Sequence, residues 1–218
     1  MKKLIKIVGG LAVLGVFAII MMFSLLPWMD RWGASPDEAA ASLPGDGLVP
    51  TPRIRYTRAI SIDAAPDEIY PWIVQIGAER GGWYSYEWFE TNILRCEISN
   101  ADRIDERWQN LQVGDRVRMC PGASGPPPYE VALLESDRAM ILGHKEKGEW
   151  IEVWQFVLLP QSDGSTRLIL RSRNAAQGWF WDAMRPGEFI MARGMLLGIK
   201  ERSEESISQQ SCEACAFR

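Results

Sequence analysis

Histidine is almost missing from this chain: His144 is the only one in 218 residues. Any site built from two or more histidines, such as a His-rich zinc or di-iron centre, is excluded. A Ser-His-Asp triad has one available base. That base lies beside Gly143 and ahead of Lys145-Glu146-Lys147, so it reads as a surface or turn residue, and no G-x-S-x-G elbow accompanies it. Cysteine is scarce too, with four residues, which rules out a disulfide-built mini-protein. The dinucleotide fingerprint G-x-G-x-x-G is absent. Gly77 to Gly82 (GAERGG) lacks the Lys-Ser/Thr that completes a phosphate loop. Pro (13) and Gly (19) fall short of a collagen-like or low-complexity chain. What remains, 47% hydrophobic and 24% charged, is the balance of a folded globular protein.

Acidic residues are absent before Asp30, and residues 7–29 carry no charge at all. The stretch from Ile7 to Leu26 matches the length of helix that crosses a bilayer, about 30 Å. Lys2, Lys3 and Lys6 precede it and Trp28 follows at the position of an interfacial aromatic. A cleaved signal peptide shares the basic start, but its apolar region spans about 7–15 residues, well short of this one. We read residues 1–29 as an uncleaved single-pass anchor, spanning about 7–26. Basic residues cluster before the span, which predicts a cytoplasmic N-terminus and a folded domain across the membrane. From residue 30 onward 21 basic side chains face 28 acidic ones, a balance that argues against nucleic acid as a partner.

Residues 30–53 are rich in Ala, Ser, Pro, Gly and Asp and read as a linker. A strand is predicted at 54–62, with Tyr56, Arg58, Ile60 and Ile62 on one face. Pro66-Asp67-Glu68 opens a helix toward Gly77, and Ile69, Trp72, Ile73 and Ile76 form its apolar stripe. Pro71 is expected to kink it. Ser85 is the predicted cap of a second helix over 86–95. Alternating strands follow at about 129–135, 138–144, 150–159 and 166–174, joined by short turns. A last helix is predicted from Pro186 to Glu204, then a disordered polar tail over 205–218. The fold class is α+β: an antiparallel sheet wrapped around a long C-terminal helix, leaving a cleft between them for a small molecule.

Several segments carry a family resemblance. They are Thr57 to Glu68, Pro71 to Gly77, Arg80 to Trp88, Ala101 to Ile104, Val113 to Asp115 and Arg171 to Arg173. With the order of elements, they make residues 33–204 resemble a bacterial branch of the START-like or SRPBCC superfamily, the helix-grip fold shared with polyketide cyclases. The resemblance implies that fold over 54–204. It says little about chemistry, because members bind lipids, hormones and polyketides or act as cyclases.

Candidate ligand-binding residues follow from chemistry. Trp83, Tyr84, Tyr86 and Trp88 form the densest aromatic cluster, and Trp154 joins them from the strand at 150–159. Arg58 on an inward face needs an acid or a ligand anion, and Glu87 and Asp102 are its candidate partners. Arg171 and Arg173 alternate with Leu170 and Ser172 and read as a solvated outer face. Trp179-Phe180-Trp181 reads as a packed loop, a gate or a bilayer contact. Cys96 and Cys120 read equally as core thiols or a bridge, and the isolated Cys212-x-x-Cys215 is too weak a signal for a metal. No cofactor or metal is expected. Three readings stand: a membrane-tethered domain binding a small lipid- or isoprenoid-like ligand; a cyclase or dehydratase using Glu87 or Asp102 with Arg58; and an interaction module with a filled pocket.

Overall fold

The computed structural model describes residues 2–122 and 125–216. Helices α1 (Lys2–Ser24) and α2 (Leu26–Met29) lead into a short capped helix α3 (Pro36–Ala40), and strand β1 is Ile54–Ile62. Helices α4 (Pro66–Val74) and α5 (Glu87–Asn92) come next. Strands β2 (Arg116–Val117), β3 (Tyr129–Glu135), β4 (Ala139–Glu146), β5 (Glu149–Pro160) and β6 (Thr166–Asn174) precede the long helix α6 (Trp179–Ala216). The sheet is antiparallel throughout, in the order β1-β6-β5-β4-β3-β2. Five of its strands follow the alternation read from sequence, and α6 packs across the inner face with α4. This is the helix-grip arrangement.

The inner face of the sheet packs Ile62, Leu142, Phe156, Leu168 and Leu170 against Ile69, Trp72 and Ile73 of α4 and Met195, Leu196 and Ile199 of α6. Each such side chain, fully buried, contributes about 1.5–3 kcal/mol. Helix α4 starts where Pro66 and the acids predict, with Glu68 accepting from the Ala65 N–H at 2.8 Å. It ends at Val74, three residues short of Gly77, because Gly77 adopts φ 136° and pairs back with Gly82 in a tight turn.

Residues 30–53 are not a free linker. They form a strap over the outer face of the sheet, where Leu43 and Val49 pack on Ala59, Ile141, Val153, Val157 and Ile169. Three arginines of β6 hold the strap down. Arg167 grips Glu38 (2.8 Å). Arg171 donates to the carbonyls of Glu38, Ala39 and Ala41 and to Asp46. Arg173 donates to the carbonyls of Val49 and Pro50. Arg171 and Arg173 do point outward, but they are 1% and 7% exposed, so the outer face is covered, not solvated. The Thr57 and Ala59 N–H groups donate to the carbonyls of Asp30 and Trp32. Gly33 lies so close to β1 that a Cβ there would meet the Ala59 oxygen at 2.0 Å.

Helix α6 also departs from expectation. It begins at Trp179, just after Gly178 at φ 109°, and Pro186 lies inside it. Trp179 and Phe180 are therefore exposed in its first turn, not in a loop. It continues to Ala216, so residues 205–216 are helix where a disordered tail was expected. A helix already nucleated by its buried part propagates there residue by residue. Cys212 and Cys215 fall in this extension, and their side chains lie outside the described residues.

Helix α1 with α2 gives one stretch, Gly9–Met29, long and apolar enough to cross a membrane. Its exit is fastened to the domain. Leu26 and Met29 bury against Phe189 of α6, and Trp28 meets the Phe189 ring edge-on at 5.4 Å. Asp30 pairs with Arg185. Burial raises the Asp30 carboxyl, against the pull of Arg185.

Candidate functional site

The first turn of α5 inverts the usual amphipathic rule. Trp88 is 69% exposed, whereas Glu90 is 2% exposed. Neither Glu90 oxygen has a hydrogen-bond partner among the described residues. Burial, reinforced by the Glu87 carboxylate, pushes the Glu90 carboxyl up to about 7, and the nearby Ser85 hydroxyl offsets this only in part. An isolated buried carboxyl costs free energy unless something pairs with it, so this position calls for an explanation.

Glu90 lines a cavity of about 340 Å³ between α5, α6 and the sheet. That volume lies within the range of small-molecule sites. Trp83 and Trp154 line it, edge-to-face at 6.1 Å, and Met191, Ala192 and Met195 of α6 form the opposite wall. A disulfide between Cys96 and Cys120 closes one side, tying the loop after α5 to the loop after β2. Ser85 also lines it, and its hydroxyl donates to Met191 Sδ at 3.6 Å instead of capping α5. Leu94 and Met184, each 46% exposed, mark the opening. Other exposed apolar residues are Trp88 of α5 and Ile93 just past its end, and Trp179 and Phe180 in the first turn of α6. Met184, Met191 and Met195 form one stripe of α6, while Arg185 and Phe189 on the adjacent stripe hold the exit of the apolar helix. The cavity and the contacts of the apolar N-terminal stretch thus share one helix segment.

The structure distributes the sequence-predicted residues over four places. Trp83 and Trp154 lie in the cavity wall. Tyr84, Tyr86 and Glu87 line a separate shallow groove against Gly194 and Gly198 of α6. Tyr84 is buried at φ 55°, its hydroxyl donating to the Trp72 carbonyl at 3.1 Å and its N–H to Asn100 Oδ1. Glu87 accepts from the Asn100 N–H, and Trp88 and Asp102 are exposed. Arg58 is fully buried but away from the cavity lining. It donates to the Met29 carbonyl and to Glu188, both at 2.9 Å, and its guanidinium stacks on Tyr56 at 3.8 Å. Its acid is therefore Glu188 of α6, not Glu87 or Asp102. Burial raises the Glu188 carboxyl, opposed by Arg58.

His144 is no surface or turn residue. It sits on β4, stacked on Tyr129 at 4.0 Å. Its Nε2 donates to the Pro127 carbonyl at 2.7 Å and its Nδ1 faces Glu152 at 3.4 Å. Burial disfavours the charged ring, but these two acceptors outweigh it and raise the pKa. Sequence reasoning missed Glu90 and Glu188 altogether. The spacing Glu87-x-x-Glu90 puts two like charges side by side on one turn, which is mildly unfavourable, but it does not mark either acid as buried.

No protein-family model matches this chain, and no curated protein matches it. Solved structures resemble it weakly. The Aha1 dimer from Colwellia psychrerythraea aligns at 14% identity and TM-score 0.40, over 70% of this chain and 97% of that one. A Mycobacterium smegmatis protein, Ms6760, aligns at 13% identity and TM-score 0.44, over 72% and 92%. A protein from Arthrobacter aurescens aligns at 11% and 0.44, over 77% and 92%. The fold assignment rests on the sheet order and the gripping helix themselves.

Proposed function

We propose that this chain is a membrane-tethered START-like domain that binds a small hydrophobic ligand in the cleft under its C-terminal helix. The observation that carries the reading is the apolar cavity beneath α6, closed by aromatic, methionine and disulfide walls. The ligand class is lipid- or isoprenoid-like, drawn from the bilayer that residues 7–26 cross. Support for that source is the position of the opening, on the same segment of α6 that grips the anchor exit. The three lysines before the span support a cytoplasmic N-terminus and an extracytoplasmic domain. The Cys96–Cys120 bridge supports the same placement, since disulfides persist in oxidising compartments. The cyclase reading required Arg58 beside Glu87 or Asp102, and nothing favours it now that Arg58 is engaged with Glu188.

The test is native mass spectrometry of the full chain, purified in mild detergent from its host's membranes. A near-stoichiometric co-purifying small molecule is expected. It should disappear in Ala192→Trp, which fills the cavity. A clean apo mass that takes up nothing from a host lipid extract would overturn the proposal and leave the filled-pocket interaction module.

A further inference from the structure

The first three turns of α6 carry their charges on the inside. Asp182 pairs with Arg53 at 2.8 Å, Arg185 with Asp30, and Glu188 with the buried Arg58 at 2.9 Å. Every charged residue between Trp179 and Ile190 is thus engaged with the rest of the chain. Phe189, on the same side, packs on Leu26, Met29 and Trp28. The exposed positions of this segment are Trp179, Phe180, Ala183, Met184 and Ile190. At about 100° per residue they fall within about 140° of arc, and no charged side chain lies among them. This reverses the order of an ordinary surface helix. The reversal is local: three turns further on, the same arc carries the exposed acids Glu201 and Glu205.

We propose, building on the reading of residues 7–26 as a membrane span, that this outer face of α6 is a second membrane contact. Residues 179–190 lie along the bilayer surface, with the apolar side sunk into the boundary between headgroups and acyl chains. Position argues for lipid as the occupant. Phe189, next to Ile190, holds Trp28 and Met29, the last residues of the apolar stretch Gly9–Met29. A bilayer crossed by that stretch begins within about one helix diameter of the exposed face, about 10–12 Å. Chemistry agrees, since tryptophan settles at the lipid–water interface and phenylalanine, methionine and isoleucine suit the apolar side of an interfacial helix. Met184 belongs to this face and also lines the cavity, so lipid contact brings the cavity to the bilayer surface. The other end of the domain stays in water. There Lys200 and Glu204 meet Ser61 and Asp63 at the end of β1, beside the turn that joins β5 to β6.

Nitroxide labels test this on the full chain in phosphatidylcholine vesicles, with Cys212→Ser and Cys215→Ser and the Cys96–Cys120 bridge left intact. Single cysteines are placed by Phe180→Cys and Ile190→Cys on the outer face, by Leu14→Cys within the span and by Ser162→Cys in the exposed β5–β6 turn. Accessibility to oxygen, which concentrates in lipid, is compared with accessibility to a water-soluble nickel chelate. The oxygen-to-nickel ratio from the Phe180 and Ile190 sites should exceed that from the Ser162 site several-fold and approach that from the Leu14 site. Water-like ratios at Phe180 and Ile190 beside a lipid-like ratio at Leu14 overturn the inference and leave the anchor standing. Protection of both sites from both reagents also overturns it, because a second copy or another protein then covers the face. A water-like ratio at Leu14 overturns the anchor reading and this inference together. The unlabelled wild type decides the matter even if a cysteine variant does not fold. A phosphatidylcholine with a photoreactive group near its glycerol should crosslink to residues 179–190, and crosslinks to the span without any there overturn the contact.

Discussion

Two buried charges lie at opposite faces of the same sheet, and they are treated in opposite ways. Arg171 is 1% exposed and gives hydrogen bonds to Thr57 Oγ1, to three strap carbonyls and to Asp46, all between 2.8 and 3.2 Å. Glu90 is 2% exposed, and neither of its carboxyl oxygens has a hydrogen-bond partner among the described residues. Desolvation penalises both, but only Arg171 recovers the loss within the protein. The contrast separates a charge paired within the fold from one left without a hydrogen bond among the described residues.

Removing each charge should therefore move stability in opposite directions. Arg171→Met should cost about 3–5 kcal/mol, because Asp46 and the strap carbonyls lose their donor in a buried setting. Denaturant unfolding of the full chain in detergent measures this, and the strap should become a protease-sensitive segment at 38–50. Little change would mean that the strap is held by Leu43 and Val49 alone. Next comes the covalent wall of the cavity. Replacing Cys96 and Cys120 by alanine should cost about 3 kcal/mol, given 24 residues of sequence separation between them. Proteolysis should then open the segment around 94–126 and spare the strap, so the two regions can be loosened independently.

Glu90→Leu should raise stability, by about 1–3 kcal/mol at pH 8, since an unsatisfied buried carboxyl is removed. A loss of stability instead would show that Glu90 has a structural partner and would erase the contrast with Arg171. The pH dependence sharpens the same point. The Glu90 carboxyl rises from 4.5 to about 7 on folding, so between those values the folded state binds more protons than the unfolded one. Its contribution to stability should be fullest below pH 4.5, fall through the interval and level off above pH 7. In Glu90→Gln that downward slope should flatten, read as the unfolding midpoint against pH. The smallest effect is expected at Trp88→Ala, within about 0.5 kcal/mol, because this exposed side chain belongs to no core cluster.

Much of the architecture was legible in the chain because strands write themselves as alternation. Tyr56, Arg58 and Ile62 do face inward, and the four later strands sit within a few residues of where turn chemistry placed them. The strap was not legible. Its Pro and Gly content reads as linker, and the arginines that hold it lie more than 120 residues away, a complementarity no local pattern displays. Glu90 and Glu188 were missed for a related reason. Periodicity assigns an acid to the solvent side by default, so a carboxyl turned inward looks ordinary until the walls around it are seen. Trp83 and Trp154 were found as cavity residues because bulk and apolarity mark them. Tyr84, from the same cluster, serves as a backbone clasp at a left-handed position, which residue type alone does not reveal.

The bonds from Thr57 and Ala59 to Asp30 and Trp32 bear on how the domain lives beside copies of itself. Strand β1 is the outermost strand of its sheet, and a bare outermost strand is a template for another chain to add on. Asp30 and Trp32, just past the apolar N-terminal stretch, occupy part of that template. They act as a selvedge, finishing a margin that would otherwise fray into aggregates. A soluble version of this protein should therefore be cut ahead of Asp30. One begun at the first strand would keep the cavity and lose the finished margin, and self-association rather than misfolding would be its characteristic failure.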